Sequence, residues 1–277
     1  MGLRITTNVP SINAQKSMAL SQREISKSFA QLASGSRITK AADDAAGLSI
    51  SESLKSQIRG YGAAKRNAMD AMSLVQVSEG GLGEISNILT RLRELGVQAA
   101  SDTVGDRERG FINTEVQQLK NEMQRIAQAT RFGDTRLLDG SGGTFDFQVD
   151  INNDAFTDRI SFDATAQNAQ ISELGVDGLD YSVKDGAQEA LGIVDAAQRR
   201  VNEFRANLGA IQNRLISTQD NLAVFEENLS AANSRLRDAD IAHSTAELAK
   251  NNVLLNASTS ILAQTNMYPN VAMKLLG

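Results

Sequence analysis

The sequence predicts a mainly α-helical chain: a long antiparallel helical-bundle rod with a small β-hairpin tip and terminal coiled-coil helices. Three observations carry this. Apolar residues recur at alternating steps of three and four in both halves of the chain. The only prolines among the 277 residues are Pro10 and Pro269, so no ring interrupts a helix between them. A segment rich in glycine and aspartate, from about Gly133 to Asp180, separates the two helical halves. A chain that goes out as helix, turns at a β tip and returns as helix brings both termini to one end. Such a rod suits a building block better than an enzyme.

The first segment, residues 1–44, carries Ile5, Val9 and Ile12, then Met18, Ile25, Phe29 and Leu32 at helical spacing. The second, residues 45–185, opens with Asp43 or Asp44 as a helix cap. Its stripe runs Ile50, Leu54, Tyr61, Ala64, Ala68, Ala71, Val75, Leu82, Ile85, Leu89 and Leu92, and Gly96 and Gly105 mark the expected end. A third helix follows with Ile112, Val116, Leu119, Met123 and Ile126. Phe145, Phe147, Val149 and Ile151 then alternate with polar residues, which reads as a strand, and Arg159–Phe162 can return as its partner.

The strongest pattern lies in residues 186–229 and just beyond. From Val194 the stepping reaches Ala197, Val201, Phe204, Leu208, Ile211, Leu215, Thr218, Leu222, Phe225, Leu229, Ala232 and Leu236, and only Thr218 is not apolar. Such a seam predicts a helix about 65 Å long. The simplest role of these stripes is to hold the rod together. In residues 230–277 the register shifts, and Ile241, Leu248, Leu255 and Leu262 recur every seven residues, flanked by Leu254 and Ile261. Asn256 to Ala272 contains no charge. Burying so few large side chains does not offset the ordering of two long terminal helices. The tails therefore need neighbours and read as intermolecular surfaces.

Composition narrows the function. Aromatics are 4% of the chain and Trp is absent, which suits narrow helical seams rather than a thick core. Net charge is −5, an unfavourable balance for nucleic acid. The charge is uneven: residues 1–40 hold six bases and one acid, leaving −10 on the remainder. There is no cysteine, and no run of 18 apolar residues that would insert in a membrane. The N-terminus lacks the apolar core of an ordinary secretory signal.

Candidate chemical sites fall away on inspection. Asp150, Asn152 and Asp154 open like a calcium loop, but Ala155 and Ser161 stand where glycine and glutamate are needed. Gly140–Gly143 lacks the lysine and hydroxyl of a phosphate loop, and Gly80, Gly81 and Gly83 follow no strand. His243 is the only histidine, which leaves no transition-metal set and no catalytic triad. Catalytic, cofactor and metal residues are all expected to be absent.

Specific runs go further than class. Leu32-Ala-Ser-Gly-Ser-Arg-Ile-Thr-Lys-Ala-Ala-Asp-Asp-Ala-Ala-Gly-Leu-Ser-Ile, continuing to Gly60, resembles the N-terminal block of bacterial flagellins. Ser234-Arg-Leu-Arg-Asp-Ala-Asp-Ile-Ala, Thr259-Ser-Ile-Leu-Ala-Gln-Thr-Asn and the ending Leu275-Leu-Gly resemble the matching C-terminal block. The resemblance implies a secreted, self-assembling subunit of the extracellular flagellar filament. Its inner tube would comprise residues 1–33 and 240–277, its spokes 34–44 and 230–239, and its rod 45–229. It implies inner-tube assembly by Ile5, Val9, Ile12, Phe29, Leu32, Ile241, Leu248, Leu255, Ile261 and Leu262. It implies a rod core of Leu54, Val75, Leu82, Leu89, Ile112, Leu119, Val201, Phe204, Leu208, Ile211, Leu215, Leu222, Phe225 and Leu229.

The implied partners are further copies of the chain, a type III-type export apparatus, an export chaperone over Leu248–Leu262, and the filament cap and hook-junction proteins. Thr90-Arg-Leu-Arg-Glu-Leu-Gly-Val-Gln resembles the segment sensed by a Toll-like innate receptor, with Arg91, Leu95 and Glu115 at the matching positions. Arg91 and Leu95, four apart, would share a helix face. Two other readings compete: a flagellar hook-filament junction protein, and a cytosolic coiled-coil adaptor. The adaptor leaves the chargeless tail unexplained.

Overall fold

The computed structural model describes the backbone of residues 7–276 and the side chains of residues 7–267. Helix α1 spans Val9–Ser34. The Asn8 side chain accepts the Ser11 N–H at 3.2 Å at its start, and Gly35 at φ 67° ends it in the left-handed conformation glycine tolerates. Helix α2 spans Ala45–Ala99. Asp44 is its cap, accepting the Gly47 N–H at 2.8 Å. Asp43 instead gathers the Thr39 and Lys40 N–H groups and the Thr39 hydroxyl.

α2 ends at Ala99, between the two glycines that bracket its expected end, and Gly96 itself lies within the helix. A Cβ there would lie 3.0 Å from Leu191 Cδ2 and 3.3 Å from the Tyr181 hydroxyl, so the glycine serves close packing. The helix ends three residues later under Arg109, a 6% exposed side chain. Its guanidinium donates to Ala99 O and Ser101 O, both at 2.9 Å, and to Asp106 at 2.8 Å. One buried cation thus satisfies carbonyls that the helix end leaves open.

Helix α3 spans Asp106–Ala129. A two-residue hairpin, β1 (Arg131–Phe132) with β2 (Thr135–Arg136), turns at Gly133, whose φ is 59°. Strands β3 (Thr144–Gln148) and β4 (Arg159–Asp163) pair antiparallel, with Phe145 opposite Phe162 and Phe147 opposite Ile160, as the alternation predicts. Helices α4 (Lys184–Arg237) and α5 (Ile241–Leu276) complete the chain.

The chain forms two compact units, residues 57–227 and residues 1–56 with 228–277. In the first, Val75, Leu82 and Leu89 of α2, Ile112 and Val116 of α3, and Val201, Leu208, Ile211 and Leu215 of α4 are buried in one core. Leu119 and Phe204 pack on its margin, and Leu222 is also buried. Phe225 departs from the expected core: it is 49% exposed, its ring 5.6 Å from that of Tyr61. The reason is that α3 stops early. Thr130, just past its end, already lies against Gly81, so no third helix covers α2 and α4 at Tyr61 and Phe225. Leu54 and Leu229 are likewise corrected: both are half-buried and belong to the other unit.

The segment after β4 is bound along α3 rather than loose. Asn113, Gln117, Lys120 and Gln124, at steps of four, three and four, address its backbone. Asn113 accepts the Tyr181 N–H at 3.1 Å, Gln117 donates to Leu179 O at 3.2 Å, Lys120 donates to Asp177 O, and Gln124 accepts the Ile171 N–H at 3.1 Å. Leu174, Val176, Leu179 and Tyr181 are buried beneath it.

Candidate assembly surfaces

Helices α1 and α5 run antiparallel. At one end Asn8 donates to Thr265 O at 2.9 Å and the Ser11 hydroxyl to Asn266 Oδ1 at 3.0 Å. At the other, the breaks in the two chain segments hydrogen-bond to each other. Arg37 N–H reaches Arg237 O at 2.6 Å, Ala239 N–H reaches Gly35 O at 2.9 Å, and the Arg37 guanidinium reaches Leu236 O at 2.9 Å. Arg37 thereby caps the end of α4 from another part of the chain. Asp240 starts α5 by accepting the His243 N–H at 3.1 Å, and the His243 side chain is exposed.

The seam between α1 and α5 is narrow and half polar. Its buried members are Ser11, Ala14, Ser21 and Ser28 on α1, and Ser244 and Asn251 on α5. Met18, Ile25, Leu32, Leu248, Leu255 and Leu262 alternate with them and are half-buried. Large apolar side chains point away from this seam. Val9, Ile12, Leu20 and Phe29 are exposed on α1, and Ile241, Val253, Leu254, Ile261 and Met267 on α5; Phe29 is 65% and Val253 67% exposed. Such a run of uncovered apolar surface on two paired helices marks an interaction face.

This sorts the expected assembly residues. Val9, Ile12, Phe29, Ile241 and Ile261 lie on outer faces. Leu32, Leu248, Leu255 and Leu262 do not stand free as an intermolecular stripe: their seven-residue spacing is the heptad of the α1–α5 seam itself. Ile5 lies outside the described residues. Leu20, Val253 and Met267 escaped the sequence reading. The signal was the run Val253-Leu254-Leu255, because a two-helix seam takes only one of three consecutive apolar residues.

The connecting turn is electrostatically fastened. The Thr39 hydroxyl above all, with the Lys40 and Thr39 N–H groups and the Lys27 ammonium 3.8 Å away, holds the Asp43 carboxyl below its usual range, against a smaller effect of burial.

The sequence profile of the bacterial flagellin N-terminal helical region matches residues 5–142, and that of the C-terminal helical region matches residues 191–276. The chain belongs to the bacterial flagellin family. Its relatives include a flagellin of Halalkalibacterium halodurans, 39% identical over 98% of this chain and 99% of that one. The flagellar filament core protein flaB2 of Brachyspira hyodysenteriae is 37% identical over 98% of this chain and 99% of its own. The crystal structure of Bacillus cereus flagellin is similar at TM-score 0.51 and 31% identity, covering 57% of this chain and 88% of that one. A flagellar hook-associated protein from Vibrio parahaemolyticus, a putative one by its description, shares the fold alone, at TM-score 0.60 and 13% identity over 71% of this chain and all of that one.

A second surface of this flagellin lies on α2 and α3. Arg91 bonds Glu94 at 3.0 Å and Glu115 at 2.9 Å, and these hydrogen bonds push its guanidinium pKa up. Arg91 and Glu115 are therefore an exposed cross-helix pair. Leu95 is not on that face: it is 2% exposed and belongs to the core. An i, i+4 step turns about 40° around the helix, and that rotation carries the stripe from its charged edge into the core.

Among the described residues no helix is long and apolar enough to cross a membrane, and no group of three or more His, Asp or Glu is placed to hold a metal ion. The Asp154 carboxylate accepts the Phe156 and Thr157 N–H groups.

Proposed function

We propose that this flagellin is the structural subunit that polymerises into the extracellular filament of a bacterial flagellum and serves swimming motility. The apolar outer faces of α1 and α5 carry this reading, because their large side chains stay exposed among the described residues. Identical subunits meeting through two different surfaces propagate as an open helix instead of closing. Residues 1–33 and 240–277 would form the inner tube, 34–44 and 230–239 the spokes, and 45–229 the rod. The export chaperone would cover Leu248–Leu262 before secretion through the export apparatus, and the cap and hook-junction proteins would meet the filament's two ends.

The test is assembly. Removing residues 1–33 or 242–277, or substituting Phe29→Ser with Ile261→Ser, should leave a helical, soluble subunit that forms no filaments by electron microscopy. Long filaments from these variants would remove the terminal helices from assembly. A hook-junction role is less well supported and is distinguished by abundance, since a junction protein is a trace component of sheared appendages.

The exposed Arg91–Glu115 pair supports a second reading, recognition of released monomer by a Toll-like innate receptor. Arg91→Ala should lower the response of receptor-bearing reporter cells to monomer without lowering its helix content. An unchanged response would remove the pair from recognition.

A further inference from the structure

Gln167 lies in the loop that leads from β4 to the stretch bound along α3, and it is 0% exposed. Short-range bonds fix this loop on both sides of it. The Asp163 carboxylate accepts the Thr165 N–H at 2.9 Å, and the Asn168 side chain accepts the Gln170 N–H at 3.1 Å. The loop also lies against the glycine-rich loop after β2. The Ala164 N–H donates to Gly143 O at 3.0 Å, the Ala169 N–H to Leu138 O at 2.8 Å, and Gln170 Nε2 to Asp139 O at 2.8 Å. Leu138, Ala164 and Ala169 of the same two loops are each 0% exposed.

Neither amide atom of Gln167 has a hydrogen-bond partner among the described residues. Exchanging Nε2 with Oε1 changes nothing, because both are unpaired. Arg205 Nε is the other such atom among the described residues, but that side chain is 40% exposed and stands 3.6 Å from Glu79. Folded chains pair nearly all of their buried polar side-chain atoms, because an amide withdrawn from water without a partner is costly. The amide offers two donors and one acceptor. An anion would leave Oε1 unpaired and a cation would leave Nε2 unpaired, whereas water serves both. The facing loops supply further acceptors. Ala164 O, Gly143 O and Leu138 O each take one N–H and keep a second lone pair. A buried water needs two to four such groups.

We propose that Gln167 anchors a buried hydration site of two ordered water molecules, one donating to Oε1 and one accepting from Nε2. Their remaining hydrogen bonds go to carbonyls of the two loops. The waters thereby fasten residues 164–170 onto residues 137–143, where the loops meet through small residues such as Gly142 and Ala164. The site belongs to the 57–227 unit and is independent of the filament reading.

Water-selective NOE and ROE spectra of isotope-labelled full-length monomer test this. Dipolar contact with a long-lived water gives ROE cross-peaks opposite in sign to those of chemical exchange. Such peaks are expected at the Gln167 side-chain N–H groups and at the Ala164 and Ala169 N–H groups. Their absence at Gln167 in the wild type would overturn the proposal. Gln167→Met keeps the length and removes the amide, so the peaks at Ala164 and Ala169 should be lost; their persistence would show that Gln167 does not hold the water. Peaks that vanish in Thr165→Val would come from the Thr165 hydroxyl and would equally overturn the site. A crystal structure of the full chain should show water within about 3 Å of both amide atoms. Protein groups paired to that amide instead would sink the proposal.

Discussion

Tyr181 pins the backbone-bound segment to α2. Its ring is fully buried, its hydroxyl donates to Leu92 O at 3.0 Å, and burial pushes its pKa from 10.0 up to about 12. The folded pKa is raised, so the contribution is fully present below about pH 10 and is lost as pH climbs toward 12. Two pKa units correspond to about 2.7 kcal/mol lost across that window. Tyr181→Phe removes one neutral hydrogen bond, costing about 1 kcal/mol at neutral pH, and removes the titration with it. The wild type should therefore be the more stable protein at pH 8 and the less stable one at pH 12, with the curves crossing at roughly pH 10.7. The assay is urea unfolding followed by circular dichroism, on full-length monomer, at half-unit pH steps. Tyr61 is present in both proteins and cancels in the difference. A stability difference that stays constant from pH 8 to 12 would refute the account of Tyr181 as a buried pin.

Three further outcomes follow from named contacts. Gly80→Ala meets nothing within 4 Å and should stabilise by about 0.5–1 kcal/mol, whereas the adjacent Gly81→Ala would press on Thr130 Oγ1 at 2.6 Å and Leu138 Cδ1 at 2.7 Å and should destabilise by about 1–2 kcal/mol. Opposite shifts in thermal midpoint test the pair. Arg109→Met should cost about 2–4 kcal/mol by leaving Ala99 O and Ser101 O without their donor, read as a fall in the urea midpoint. Asp43, whose carboxyl is held below its usual range, contributes stability that is present above that range and lost as pH falls through the folded value. Hydrogen exchange at Thr39 and Lys40, corrected for intrinsic pH dependence, should accelerate as pH falls through and below the usual carboxylate range and should not do so in Asp43→Asn.

Much of the helical seam is legible in the sequence because it repeats. From Val194 to Leu222 the three-and-four stepping is long enough that one polar interruption, Thr218, does not obscure it. The same rule fails at Phe225, where the period continues but the covering helix does not. It fails at Leu95 for a different reason: spacing defines a neighbour on a helix, not which side of the core's edge that neighbour takes. The ladder of Asn113, Gln117, Lys120 and Gln124 was unreadable in principle. Those side chains recognise backbone, and backbone leaves no trace in residue identity. The terminal helices were readable as needing company, but their inward and outward faces were interchanged in part. Large residues ordinarily point inward, and here the buried places are held by serine, alanine and asparagine.

That inversion has a mechanical consequence. A seam lined by Ser11, Ser21, Ser28, Ser244 and Asn251 buries little apolar area per turn, so the α1–α5 pair gains only modest stability from its own contact. Exchanging those residues for leucine would strengthen the pair in the isolated subunit, and would also remove the difference between subunit and filament. Phe29, Val253, Leu254 and Ile261 contribute when another surface covers them. The stabilisation of the terminal helices is thereby shifted from the chain to its contacts with other chains. A subunit built this way gains the rigidity of its terminal helices only when further surfaces cover them. A strong intramolecular coiled coil would make those helices rigid before any such contact forms.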